Sequence, residues 1–243
     1  MNPSTSTSSP VSTLVGPLLV AAAALGAGGA RAQVVTIDPA KALAGNVTPG
    51  DAPGYPVTLS QPGSYRLMAH LVVPDLATTA VHIVSPGVRL DLNGFELRGP
   101  NTCIAATTTT PLICSSHALP GNAVRGHGVL VQLPHNSPAT VAIENGSVRG
   151  FGAFGLRGLD GGFHGYAVRQ LQVSNNGYWG IERAVLVSDS VVDHNGAGGI
   201  SWSHGVWRNT VFGNRATGIH GSRIGQNDVH SNNPDFNANT PLP

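Results

Sequence analysis

The sequence predicts an all-β protein: a parallel β-helix, a solenoid of about seven coils, with a short N-terminal cap helix. Three observations carry that prediction. First, Gly180-Ile181, Gly199-Ile200 and Gly218-Ile219 recur every 19 residues. Second, two further apolar columns keep step with them. Val168, Val187, Val206 and Ile224 form one, and Val192, Val211 and Val229 the other. Third, Asn176, Asn195, Asn214 and Asn232 repeat at intervals of 19, 19 and 18. A period near 20 is too short for a helical-hairpin repeat, whose periods begin near ~33. The apolar positions recur in twos, as strands require. Three short strands per turn follow, with valine stacked on valine in the bore and asparagine on asparagine at one corner.

Composition fits this reading. Only 10% of the 243 residues are charged and 32 are glycine, against ~25% charged in an ordinary soluble domain. The regular apolar columns argue against disorder, because a disordered chain has little apolar surface to bury. The formal net charge of +1 gives no electrostatic case for nucleic acid or an anionic membrane.

Taken in order, residues 1–32 read as a secretory signal. The apolar run from Val15 to Leu25 precedes Ala30-Arg31-Ala32, a small-x-small cleavage pattern. A bilayer span takes ~20 apolar residues, more than this run supplies. The expected localisation is therefore secreted or periplasmic, with no membrane span. Residues 33–62 are a lead-in and cap: Asp38 as N-cap, Pro39 at the first helical position and Gly45 as the stop frame a short helix that closes the open end of the bore. The repeat proper is expected over residues 63–233. Val88, Leu90 and Leu92 alternate with Arg89 and Asp91, and Asn93-Gly94 marks a turn.

PGSYRL followed by SPGVRLDLNGFELRG, together with the later Gly-Ile and Asn-Gly coils, resembles bacterial exported right-handed parallel β-helix proteins of the pectin-lyase-like superfamily. The resemblance covers roughly residues 60–233. It implies right-handed coiling and association with polysaccharide. It does not fix an activity, because the architecture hosts lyases, hydrolases, epimerases and adhesins. Calcium-dependent pectate lyases hold their ion with clustered acidic residues, and no such run occurs here. The aspartate motifs of polygalacturonases are also absent. The nearest approach to the Asp-Pro-His-acid motif of alginate epimerases is Asp193-His194-Asn195, without the proline and the acid. No cofactor or metal is therefore required by the sequence, and calcium is unsupported.

Residues 101–126 interrupt the repeat. Cys103 and Cys114 enclose a polar stretch and, in an exported chain, read as a disulfide-closed loop that could wall a groove. Metal binding with His117 is the alternative, although the spacing fits no zinc pattern. Coils resume at Gly126, and one carries a longer loop with Asp160 and His164. Residues 234–243 lack the period and form a tail.

Chemistry must sit on outward positions. One column after the Gly-Ile pairs reads Arg157, Glu182, Ser201, His220, and one after the column valines reads Arg149, Ser174, Asp193, Phe212, His230. Stacked neighbours lie ~4.8 Å apart, so Glu182 and His220 would bracket Ser201. The acid–base candidates are Glu182, Asp193, His194 and His220. Arg157, Arg183 and Arg208 are candidate clamps for a sugar carboxylate, and Trp202 is a candidate sugar-stacking face. Two functions follow from these positions. One is a polysaccharide lyase, epimerase or hydrolase. The other is a non-catalytic β-helix that binds glycan or serves an envelope role. A monomer is expected. Convergence of three or more ionisable groups beneath the Cys103–Cys114 loop would favour the enzyme, and a scattered pattern the binding or structural module.

Overall fold

The computed structural model describes Met1 and residues 33–104, 112–135, 137, 141–159 and 165–233. The expected signal segment, the interior of the disulfide loop, Asp160, His164 and the tail at 234–243 lie outside the described residues. The described elements belong to one unit, Ala32–Pro243.

The protein is all-β, built on one 18-stranded sheet that curls around its own core. Each strand pairs in parallel with the strand one repeat further along the chain. Three inward columns result. The first is Val57, Val81, Val129, Leu156, Ile181, Ile200, Ile219. The second is Tyr65, Leu90, Ile143, Val168, Val187, Val206, Ile224. The third is Leu71, Leu97, Val148, Val173, Val192, Val211, Val229. All but Val229 are buried. Each buried aliphatic side chain contributes roughly 1.5–3 kcal/mol, so these columns supply the main drive for folding.

Corners are set by single residues with positive φ. Gln170, Asp189, Arg208 and Gln226 turn one corner, at φ between 52° and 54°. Asn175, His194, Gly213 and Ser231 turn another, and Arg183 and Trp202 a third. One left-handed residue redirects the chain without interrupting the pairing on either side. For that reason the expected three separate strands per repeat are partly fused: Val141–Arg149, Tyr166–Ser174 and Ile200–Trp207 each run through a left-handed residue (Asn145, Gln170, Trp202) as one strand, and Ile219–Gly225 is continuous without one.

The residue after two of these corners points inward and carries a polar ladder. Asn176, Asn195 and Asn214 each donate through backbone N–H and side-chain Nδ2 to the Oδ1 of the next asparagine, at 2.9–3.1 Å, ending at Asn232. A second ladder runs through Ser190, Asn209 and Asn227. It is disguised in the sequence by the serine. Both satisfy backbone groups that the corners would otherwise leave buried and unpaired.

The expected helix is present at Pro39–Ala44. Asp38 Oδ1 accepts from Lys41 N–H at 2.8 Å, and Gly45 terminates it at φ 71°. Ala42 joins the core. No helix among the described residues is long and apolar enough to cross a membrane.

Candidate functional site

Cys103 and Cys114 are bonded to each other and are partners in a two-stranded antiparallel hairpin. A short 3-10 turn, Ser115–Ala118, follows. This segment lies against successive corner turns of the stack, and two glycines make its approach feasible. A Cβ on Gly177 would fall 2.0 Å from Ser116 Oγ, and one on Gly196 would fall 2.6 Å from Cys114 Sγ.

Between this wall and the stack lies a groove of about 800 Å³. His117, Arg125, His127, Arg157 and Arg215 line it, with Phe154 and Tyr178 among the ring-bearing residues. No Asp or Glu is among its lining residues. Small residues, including Ala153, Ala197 and Ala216, keep the floor shallow and open.

The imidazoles have defined roles. Gly177 O can only accept, so His117 Nε2 carries its hydrogen (2.9 Å). Its Nδ1 faces the Cys114 N–H at 3.4 Å and an Arg215 guanidinium N–H at 3.3 Å, and therefore accepts. His127 Nδ1 accepts from Phe154 N–H at 3.4 Å. Burial, reinforced by the nearby Arg157 charge, pulls the His127 pKa down to about 4. It is neutral at pH 7.

The groove arginines differ in what they already hold. Arg157 donates to Glu182 at 3.0 Å and lies over the Phe154 ring at 4.5 Å. Arg125 donates to the Leu119 and Pro120 carbonyls. Its charge, and that of Arg215, meets no carboxylate in the groove. Elsewhere the described carboxylates are engaged. Asp91, Glu96, Glu144 and Asp189 pair with Arg66, Arg149, Arg89 and Arg208. Asp38, Asp51 and Asp75 accept backbone N–H groups. Asp193 contacts His194 at 2.9 Å and Asp228 lies 4.0 Å from His230.

The sequence-derived site residues separate into three places. Arg157, Glu182, Ser201 and His220 form one parallel column in the expected register. Arg183 and Trp202 occupy the corner just after it. The exposed Trp202 ring packs on His220 with centroids 4.7 Å apart. Ser201, expected to point outward, is wholly buried, and its hydroxyl has no partner. Its short side chain lies between the larger Glu182 and His220. Asp193 and His194 sit on a different strand and corner, with the His194 ring edge-on to Phe212. Arg208 is at yet another corner, held by Asp189 at 2.7 and 3.0 Å.

Sequence reading found Arg157, named His117 only as an alternative metal ligand, and missed Arg125, His127, Tyr178 and Arg215. The usable signal was the wall-forming insertion, because residues of the turns it faces are necessarily groove residues. Among the described residues, no group of three or more His, Cys, Asp or Glu could hold a metal. No family model, curated protein or solved structure matches this chain.

Proposed function

We propose that this is an exported right-handed parallel β-helix protein, of the pectin-lyase-like kind, that binds an acidic polysaccharide in the groove under the disulfide hairpin. The fold part rests on the three columns of parallel register and the sequence resemblance. The binding part rests on one observation: three arginines and two histidines line a groove with no carboxylate among its described lining residues, and of the three arginines only Arg157 is paired, with Glu182. Guanidinium groups match carboxylates and sulfates in shape and charge. The exposed Tyr178 ring, packed edge-on against the buried Phe154, suits the apolar face of a pyranose unit.

A second reading, a lyase or epimerase, is favoured by the five ionisable groups that meet beneath the hairpin. The His127 Nδ1 lone pair is held by Phe154 N–H, so the neutral ring presents Nε2–H and serves as a donor to a sugar carboxylate or leaving oxygen beside the arginine clamps, not as the base. Glu182 is a weaker candidate, since Arg157 already holds it.

Purified protein assayed on pectate, alginate and a neutral glucan, with and without calcium, tests both readings. Retention on the acidic polymers, weakening with salt, is expected, with no retention on the glucan. Replacing Arg125 and Arg215 together by alanine should weaken binding about tenfold or more. Formation of unsaturated ends, abolished by His127→Gln, would establish the lyase. Equal retention of neutral and acidic polymers would overturn the proposal, as would tighter binding of a single-stranded oligonucleotide than of any polysaccharide.

A further inference from the structure

Residues 115–118 wall the groove while seated on the turns at Gly177 and Gly196. Asn101 is tied to this segment. It is almost fully buried, and its side chain makes four hydrogen bonds, one of them from Nδ2 to Cys103 Sγ at 3.4 Å. Oδ1 accepts from Ser116 N–H and Ser115 Oγ, both at 2.8 Å, and Nδ2 donates to Asn175 O at 2.7 Å. Asn175 is itself a left-handed corner residue of the stack. One side chain thus joins the turn that carries His117 directly to a corner of the coil.

Resting on the acidic-polysaccharide reading of the groove, we infer that Asn101 is the positioning residue for its wall. By holding Ser115 and Ser116, it presents His117 with Nε2–H fastened to Gly177 O and Nδ1 turned to Arg215. That arrangement fixes the Arg215 guanidinium at the groove. Without Asn101, the buried Ser116 N–H and Asn175 carbonyl lose their partner, and the turn lifts from the two glycines beneath it. The rival positioner is the disulfide, whose Cys114 N–H itself faces His117 Nδ1 at 3.4 Å and whose Cys103 Sγ accepts from Asn101 Nδ2 at 3.4 Å.

The test compares full-length wild type with Asn101→Ala, Ser115→Ala and a Cys103→Ser/Cys114→Ser double variant. Each is titrated with polygalacturonate and with alginate oligomers. Each is also examined by nitrogen-15 NMR for the His117 Nε2–H, whose bond to Gly177 should slow its exchange with water. Asn101→Ala should weaken binding about tenfold and lose the protected His117 signal, while the circular dichroism of the strands is unchanged. Ser115→Ala removes only one of the four bonds, so it gives a smaller loss in the same direction even if Asn101→Ala fails to fold. A protected His117 signal in Asn101→Ala, or its loss in the cysteine variant alone, would overturn the inference. If no acidic polymer binds wild type, the polysaccharide reading fails, while the His117 signal still decides the role of Asn101.

Discussion

At the scale of single residues, His127 is the most consequential titrating group. In the unfolded chain it takes up a proton near the ordinary value of 6.5; in the folded protein it does so only at about 4, because burial and then the Arg157 charge disfavour the imidazolium. Between these values the unfolded state holds more protons, so stability falls as pH falls through that window. The full effect is about 3 kcal/mol. It is present above pH 6.5 and lost progressively toward pH 4. Chemical denaturation of wild type and His127→Gln across that range should show the slope in the first and its loss in the second. Equal slopes would mean that His127 is more solvated than its surroundings imply. A bound polyanion acts in the opposite direction, since it stabilises the imidazolium, and should be accompanied by proton uptake.

At the scale of elements, the asparagine ladder is the feature that one substitution tests most directly. Asn195 Oδ1 accepts from Asn176, while Nδ2 donates to Asn214 and to the Val173 and Asp193 carbonyls. Asn195→Ala leaves several wholly buried polar groups unpaired. At ~1–3 kcal/mol for each lost partner, a loss on the order of 3 kcal/mol is expected in urea unfolding. A loss below about 0.5 kcal/mol, the usual ceiling for surface substitutions, would show that the ladder is incidental. This ladder was legible in the sequence because identical residues must stack on one another: the repeat is forced by the contact. The same holds for the three apolar columns and for the Arg157–Glu182–Ser201–His220 register. The Ser190–Asn209–Asn227 ladder escaped notice because serine and asparagine fill the same role with different letters. The groove was least legible. Its wall comes from a non-repeating insertion, and its cations occupy unlike positions on different turns, so no period reveals them. Asp193, His194 and Arg208 entered the expected site as outward charged or titratable positions, whereas Asp193 ends a strand of the third column, His194 turns the corner after it and Arg208 turns a different one. A single left-handed residue is enough to do this, and nothing in its identity announces it: Gln, Asp, Arg, His and Trp all serve here.

At the scale of the whole molecule, the β-helix reading makes a demand that ordinary globular folds do not. If each repeat contacts only its neighbours, stability is a sum of local and nearest-neighbour contributions, and an extra repeat should be accommodated. The 19 residues from Ile181 to Gly199 are suited to this. Ile181 is in register with Ile200, Val187 with Val206 and Val192 with Val211. A tandem copy of 181–199 would therefore present each new side chain to a like neighbour above and below. It also duplicates Asn195, so the polar ladder continues unbroken. The variant should fold, unfold cooperatively at the wild-type denaturant concentration or above, and lengthen by ~4.8 Å, one strand spacing. Small-angle scattering and urea unfolding measure both quantities. A sheet that closed on itself by any other route would have no place for the added strands, and the variant would lose cooperative unfolding or aggregate through the displaced edge. The groove supplies an internal control. Inserting the copy after Gly199 separates the turn at Gly196 from the turn at Arg215 by one extra tier, while leaving His117 seated on Gly177. Arg215 then moves out of reach of His117, so a chain that folds and lengthens as expected should still bind acidic polymers less tightly than wild type.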